Sequence, residues 1–349
     1  MYKIKQQPSD FIVKEVSNLI TSNKGKYTYF KLHKENWNTL DAVRKISQIL
    51  NLPEKDIGFA GNKDKAAITE QFCSIKGNIS KERLENININ GIKLIFLGYG
   101  EEPITLGRLT GNEFIIVVRN LEKISAKYPK TILLPNYFDE QRFGENNAEI
   151  GRALIKKDFR KALDLINYNK SNEHLNKAKN DFIGALKKIP IRLLRFYINA
   201  YQSYLWNLTL AKYLEENGKV TKKIDYSLGQ FVFTKEVIKN LKITLIGFDD
   251  KIIKLELKKI VKEIMKKEEI TFNDFIIKQI PELSQEGELR EAFFEVSNLN
   301  IKKLEKDEFN PNKYKTTVSF TLSKGSYATI VIKYLFALTL KIDHTNHIH

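Results

Sequence analysis

An isolated carboxylate held between two cations can act as a base or a nucleophile, and the run from Gly58 to Gln71 contains one. Asp64 stands between Lys63 and Lys65, three residues after Gly61. Nearby positive charge favours the ionised form of an acid, and an ionised aspartate can take a proton or attack carbon. The same residues also fit a solvated turn, and local spacing alone does not choose between the two. A second run, Asn136 to Gly144, packs an amide, three aromatic rings, Arg142 and a glycine into one short stretch after Pro135. Rings beside polar donors can stack a base extruded from a nucleic acid and read its edge. They equally fit a turn whose rings plug the core, with Arg142 on a local acid. A third run, Phe320 to Ile330, reads as strand, glycine turn and helix start. Unpaired N–H groups at a helix N-terminus favour phosphate, although a plain strand–turn–helix corner has the same pattern.

Other chemistries lack their residues. No Gly-x-Gly-x-x-Gly follows a strand, and no Gly-x-x-x-x-Gly-Lys-Ser/Thr is present. Three of the five histidines sit in the last six residues, and His33 and His174 stand alone. The single cysteine, Cys73, permits neither an intrachain disulfide nor a Cys-based zinc site. What remains is chemistry without metal or organic cofactor, built on a carboxylate and stacked rings.

The elements that must position these residues follow from patterning. Phe11–Val16 and Tyr27–Leu32 are rich in aromatic and β-branched residues and read as strands. Asn38 or Thr39 caps a helix to about Leu50, with Leu40, Val43, Ile46, Ile49 and Leu50 expected on one face and Pro53 ending it. Further strands are expected near Ile57–Ala60, Gln71–Ile75, Ile92–Leu97 and Phe114–Val118, in an α+β arrangement with mainly antiparallel pairing. From about Ile150 the character turns helical. Arg152–Asn167 reads as one helix, and Leu193, Tyr197, Tyr201, Tyr204 and Leu208 recur at helical spacing and read as core. Arg192 and Arg195 fall on the other side, within reach of phosphate. Lys251–Lys267 reads as a basic amphipathic helix. Strand character returns at Thr317–Leu322, with a helix from about Tyr327. The ends therefore read as one α+β unit and the middle as an insertion.

Composition limits the partners. The 349 residues suffice for two domains, and 42% hydrophobic residues can fill a core. Lys+Arg number 58 against 42 Asp+Glu, a formal net charge of +16 spread along the chain, for which a polyanion is the natural partner. No apolar run approaches the roughly 18 residues of a membrane helix, and the N-terminus lacks a signal-peptide pattern. A cytoplasmic protein is expected.

Taken together and in order, these segments resemble the TruD family of tRNA pseudouridine synthases. Phe59–Lys65 with Ile68–Gln71 is similar to that family's catalytic motif, and Asn136–Gly144 to its Asn-x-Phe-Gly-x-Gln-Arg-Phe-Gly signature. Leu322–Thr329 is similar to its Leu-Pro-x-Gly-Ser-Tyr/Phe-Ala-Thr motif. Weaker likenesses lie at Asp10–Glu15, Lys34–Thr39, Leu106-Gly107 with Gly111–Phe114, and Tyr201–Asn207. The resemblance implies a pseudouridine synthase catalytic domain with a mixed, mainly antiparallel sheet, formed by residues 1–155 and 297–349, with a TruD-specific α+β domain inserted at 156–296 and an RNA cleft. It implies isomerisation of uridine to pseudouridine in tRNA, typically uridine 13 of the D arm, without metal or cofactor. Asp64 would be the catalytic aspartate, Phe138 would stack on the target base, and Asn136 would bond a group nearby. Lys5 would face Asp64, with Phe11 and Glu15 in the same N-terminal motif. Lys63, Lys65, Arg142 and Lys324 are the cations expected on RNA. No obligatory protein partner is implied, and a monomer is expected. Two departures stand out: Asp139 replaces the family's glycine after the stacking ring, and Ser323 replaces its proline. Two other readings remain open, a synthase of broader RNA specificity and a catalytically silent RNA binder.

Overall fold

Alternate side chains along Phe11–Val16 are buried, the period-two pattern of a strand with one face in a core. In the computed structural model, which describes residues 1–105, 110–122, 128–249 and 254–337, this strand is β1. After it come β2 (Tyr27–Glu35), α1 (Thr39–Leu50), β3 (Ile57–Phe59), β4 (Ile68–Lys76), α2 (Lys81–Glu85), β5 (Ile92–Gly100), β6 (Gly111–Leu121) and β7 (Ile132–Pro135). A helical stretch follows: α3 (Asn147–Ile155), α4 (Phe159–Ile166), α5 (Asn169–Lys177), α6 (Phe182–Leu186) and the long α7 (Ile191–Asn217). Then come β8 (Val220–Tyr226), β9 (Gly229–Thr234), β10 (Lys242–Leu245), α8 (Leu255–Glu268) and β11 (Glu288–Glu291). The described chain closes with β12 (Phe293–Ile301), β13 (Glu305–Lys306), β14 (Tyr314–Ser323) and α9 (Ala328–Phe336).

The described residues pack as two units. One comprises Met1–Ile132, Glu295–Ala328 and Leu335–Ala337, and the other Leu133–Phe294 with Thr329–Tyr334. In the first, the strands run β5-β2-β4-β1-β6-β14-β12, with β3 beside β4 and β13 beside β14. β1 pairs with β4 in parallel and with β6 antiparallel. β2 pairs antiparallel with both β4 and β5, and β14 with β6 and β12. The sheet is thus mixed and mainly antiparallel, as expected.

Helix α1 covers one end of this sheet. Asn38 caps it by accepting the Asp41 N–H at 2.8 Å, and Asn51 ends it in the left-handed conformation. Its buried residues are Thr39, Ala42, Val43, Ile46, Ser47 and Leu50, and the apolar ones pack on Phe30, Leu32, Ile57 and Cys73. Leu40 and Ile49, expected on that face, are 53% and 46% exposed. At 3.6 residues per turn both fall about 90° from the middle of the buried stripe, on its margins.

The second unit is built around α7. Gly151 of α3 lets the two helices touch, because a Cβ there would lie 2.1 Å from the Tyr197 carbonyl oxygen. The expected single helix over Arg152–Asn167 is two helices. Lys157 adopts φ +60, and Asp158 then caps α4 by accepting the Lys161 N–H at 3.1 Å. The core face of α7 also lies one position from the expected stripe. Leu194, Ile198 and Leu205 are fully buried, whereas Leu193, Tyr197, Tyr204 and Leu208 are half-buried and only Tyr201 of that stripe is buried. The start expected at Lys251 for the basic helix, the segment Leu106-Gly107 and the terminal histidines lie outside the described residues.

Candidate active site

The loop carrying Asp64 joins β3 to β4, and the neighbouring elements fix its backbone. Gly58, on β3 just before the loop, sits in tight quarters, where a Cβ would lie 2.3 Å from the Ile104 carbonyl oxygen. Thr39, at the first turn of α1, accepts the Lys63 N–H at 3.0 Å and donates to Gln71 Oε1 at 2.9 Å, while Gln71 donates back to the Gly61 carbonyl at 3.3 Å. Lys34, on β2 and fully buried, donates to the carbonyls of Trp37, Asp64 and Lys63 at 2.6, 2.9 and 3.4 Å. Burial lowers its pKa to about 8, Asp64 pulling it back up and Lys63 pressing it further down. The Lys-x-x-x-x-Thr spacing and the Gln after Ile68-Thr69-Glu70 thus have a common purpose that their sequence does not reveal: both hold this loop.

With its backbone anchored, Asp64 presents its carboxylate outward, the side chain 54% exposed. Lys5 reaches it at 2.7 Å and lies 4.2 Å over the Phe11 ring, so the ammonium has one ionic and one aromatic partner. Lys63 points the other way, 2.9 Å from Glu15 Oε1 and donating to Asn112 Oδ1 at 2.6 Å. Glu15, buried, accepts the Phe72 N–H at 2.8 Å through its other oxygen. Lys65 and Lys324 are exposed, Lys324 in the turn after β14.

A buried ionic cluster pins the N-terminal segment that brings in Lys5. Lys3 and Arg119 exchange backbone hydrogen bonds at 2.9 and 2.8 Å. The Arg119 guanidinium bonds both Asp10 oxygens and Asp307, and pairs with Glu308. Asn310 donates to Gln6 and Asp307 and accepts from Lys3. Burial opposes ionisation of Asp307, but N–H groups of Asn120 and Phe309, with Asn310 and Arg119, prevail and hold its carboxyl at about 2.

In the second unit, Asn136, Phe138 and Arg142 come together. Asn136 takes the Ala292 carbonyl through its backbone N–H at 2.8 Å and the Glu291 carbonyl through its amide at 3.1 Å. Arg290 donates to Asn136 Oδ1 at 2.7 Å and to its backbone carbonyl at 3.1 Å, and its guanidinium lies 4.2 Å from the Phe138 ring centre. Trp206 meets the same ring edge-on at 5.6 Å. Asn207 accepts the Phe138 N–H at 3.0 Å and donates to its carbonyl at 2.8 Å. Arg142 reaches Ser203 at 3.3 Å and lies 5.3 Å from the Phe196 ring. Tyr137 and Phe143 fill the core, and Phe138 is 8% exposed. Asn207 closes the Tyr201–Asn207 likeness, whereas Arg290 carries no local signal of its own; α7 and β11 bring the two to Phe138 from far along the chain.

The family model for tRNA pseudouridine synthase D, TruD, matches residues 2–174 and 167–335. The chain belongs to the TruD family. It is 32% identical to the tRNA pseudouridine synthase D of Aquifex aeolicus over 97% of this chain and 99% of that protein. It is also 32% identical to a Methanococcus maripaludis protein named probable tRNA pseudouridine synthase D 1, over 96% and 99% of the two chains. A crystal structure from Methanosarcina mazei, described as a TruD protein, superposes with a TM-score of 0.73 at 26% identity, covering 96% of this chain and 93% of that one.

Against the TruD signature, Asp139 is the conspicuous departure, and its backbone needs no glycine: φ is −89°. The side chain is buried, and Lys333 of α9 donates to it at 2.7 Å while also reaching Glu140 at 2.7 Å. The extra acid is therefore neutralised inside the fold. Among the described residues, no cluster of His, Cys, Asp or Glu could hold a metal ion, and no helix is long and apolar enough to cross a membrane.

Proposed function

We propose that this TruD-family enzyme isomerises uridine 13 in the D arm of tRNA to pseudouridine, with Asp64 as the reacting carboxylate. The N1–C1′ bond breaks, the uracil turns over, and a C5–C1′ bond forms; C5 gives up its proton and N1 gains one. An ionised carboxylate beside the extruded nucleotide serves this reaction either as nucleophile or as the base that removes the ribose 2′ proton. The observation that carries the reading is the exposed Asp64 carboxylate on a loop whose backbone is fixed by Lys34, Thr39 and Gln71, with Lys5 2.7 Å away. Phe138 is assigned to the target base and Asn136 to a group beside it on the TruD signature alone, since Phe138 is 8% exposed with the Arg290 guanidinium 4.2 Å from its ring centre. Phe11 and Glu15 set the lysines around the carboxylate. Lys65, Arg142 and Lys324 add positive charge along the RNA path, as the net charge of +16 supports, while Lys63 is held inward by Glu15 and Asn112. The enzyme works as a cytoplasmic monomer.

The test is to incubate total unmodified tRNA with the protein and map pseudouridine by chemical-adduct stops. A new stop at position 13 is expected. Stops only at other positions would remove the target assignment, and none anywhere would remove the enzyme reading.

A further inference from the structure

A buried ammonium must find acceptors for its donors, because a charge taken out of water without partners is costly. Lys34 has three N–H donors and three carbonyl acceptors, at Trp37, Asp64 and Lys63. Two of the three belong to the loop that carries the carboxylate. The lysine itself stands on β2, an inner strand hydrogen-bonded on both sides, opposite Thr69 of β4 and Ile92 of β5. The rigid sheet is thus tied through one side chain to the backbone carbonyl of Asp64, whose own side chain is exposed. Fixing that peptide fixes the direction in which the carboxylate leaves the chain.

Resting on the reading of Asp64 given above, we propose that Lys34 is a positioning residue for the reaction: its ammonium clamps the Lys63 and Asp64 carbonyls and so aims the carboxylate. The charged groups that face it are Asp64, which favours the cation, and Lys63, which opposes it; each is in turn paired, with Lys5 and Glu15 respectively. Above about pH 8 the ammonium loses its proton, leaving two donors for three carbonyls and no charge to strengthen them. The clamp then loosens.

Lys34→Met keeps the packing of the stem and removes the donors. Misplacing a reacting group by about 1 Å costs on the order of 100-fold in rate. The expected result is a kcat lowered about 100-fold, with the KM for tRNA changed by less than about threefold and faster amide hydrogen exchange across residues 62–66. The wild-type protein provides a check that needs no variant. After correction for intrinsic exchange, protection of those amides falls between pH 7 and pH 9.5 in step with kcat. Unchanged protection across that range, or a Lys34→Met protein with the wild-type kcat beside an inactive Asp64→Asn protein, overturns this inference alone. An Asp64→Asn protein as active as wild type overturns the reading of the site on which it rests.

Discussion

At the scale of single residues, this molecule repeatedly answers a charge with a partner drawn from a distant part of the chain. Asp139 and Lys333 are 194 positions apart in the chain yet form an ion pair at 2.7 Å. Removing one member of a buried pair strands the other, at a cost of about 3–5 kcal/mol. Lys333→Met should therefore lower stability by an amount in that range, and adding Asp139→Ala should restore most of it. Urea unfolding of the two single variants and the double variant measures the coupling; losses that merely add would show that the pair does not act as a unit. Because Lys333 already neutralises Asp139, the departure from the TruD glycine leaves the positive balance near Phe138 intact. At this scale the sequence disclosed the residues with distinctive neighbours, Asp64 and Asn136 among them. Lys34 and Asn207 fall inside weak likenesses whose purpose only the fold shows, and Arg290 looks like an ordinary strand residue until β11 brings it against the Phe138 ring.

Elements were legible where their own periodicity specified them. α1, β2 and β14 sit where their patterns put them, and Asn38 caps α1 as its position suggests. The buried face of α1 departs from its pattern for a physical reason: helix margins tolerate apolar residues, so Leu40 and Ile49 match the pattern without being buried. The break at Lys157 had no proline or glycine to announce it, only an aspartate able to cap the next helix. The N-terminal segment that delivers Lys5 depends on tertiary contacts, and its key residue is acidic. A carboxyl whose pKa falls from 3.8 unfolded to about 2 folded stabilises the fold fully above the unfolded value and progressively less as pH drops through the folded one. The shift corresponds to about 2 kcal/mol for Asp307. Wild-type stability should accordingly decline between pH 4 and pH 2, and Asp307→Asn should be less stable at pH 6 with a shallower acid limb. Parallel pH–stability curves for the two proteins would remove Asp307 from this role.

For the whole molecule, the net charge of +16 makes RNA binding a matter of counterion release. tRNA affinity should fall linearly in log–log form as salt rises from 50 to 200 mM, and Lys65→Gln with Lys324→Gln should flatten that slope; filter binding across the salt series measures it. An affinity indifferent to salt would contradict the part assigned to the basic surface. The family likeness spans the chain because several weak motifs occur in one order, and order over hundreds of residues is information that no single loop contains.

The proposed chemistry of this enzyme turns on one carboxylate, that of Asp64. Forming the C5–C1′ bond expels the hydrogen at C5, so tRNA transcribed with [5-³H]uridine releases tritium to water as it is isomerised. With enzyme in excess over tRNA, the wild-type protein should release it in a single-turnover burst. Asp64→Asn should release it at least 1,000-fold more slowly, on the order of a lost nucleophile or base, while binding the same tRNA within about threefold. A burst of wild-type rate from Asp64→Asn would show that Asp64 is not the reacting carboxylate.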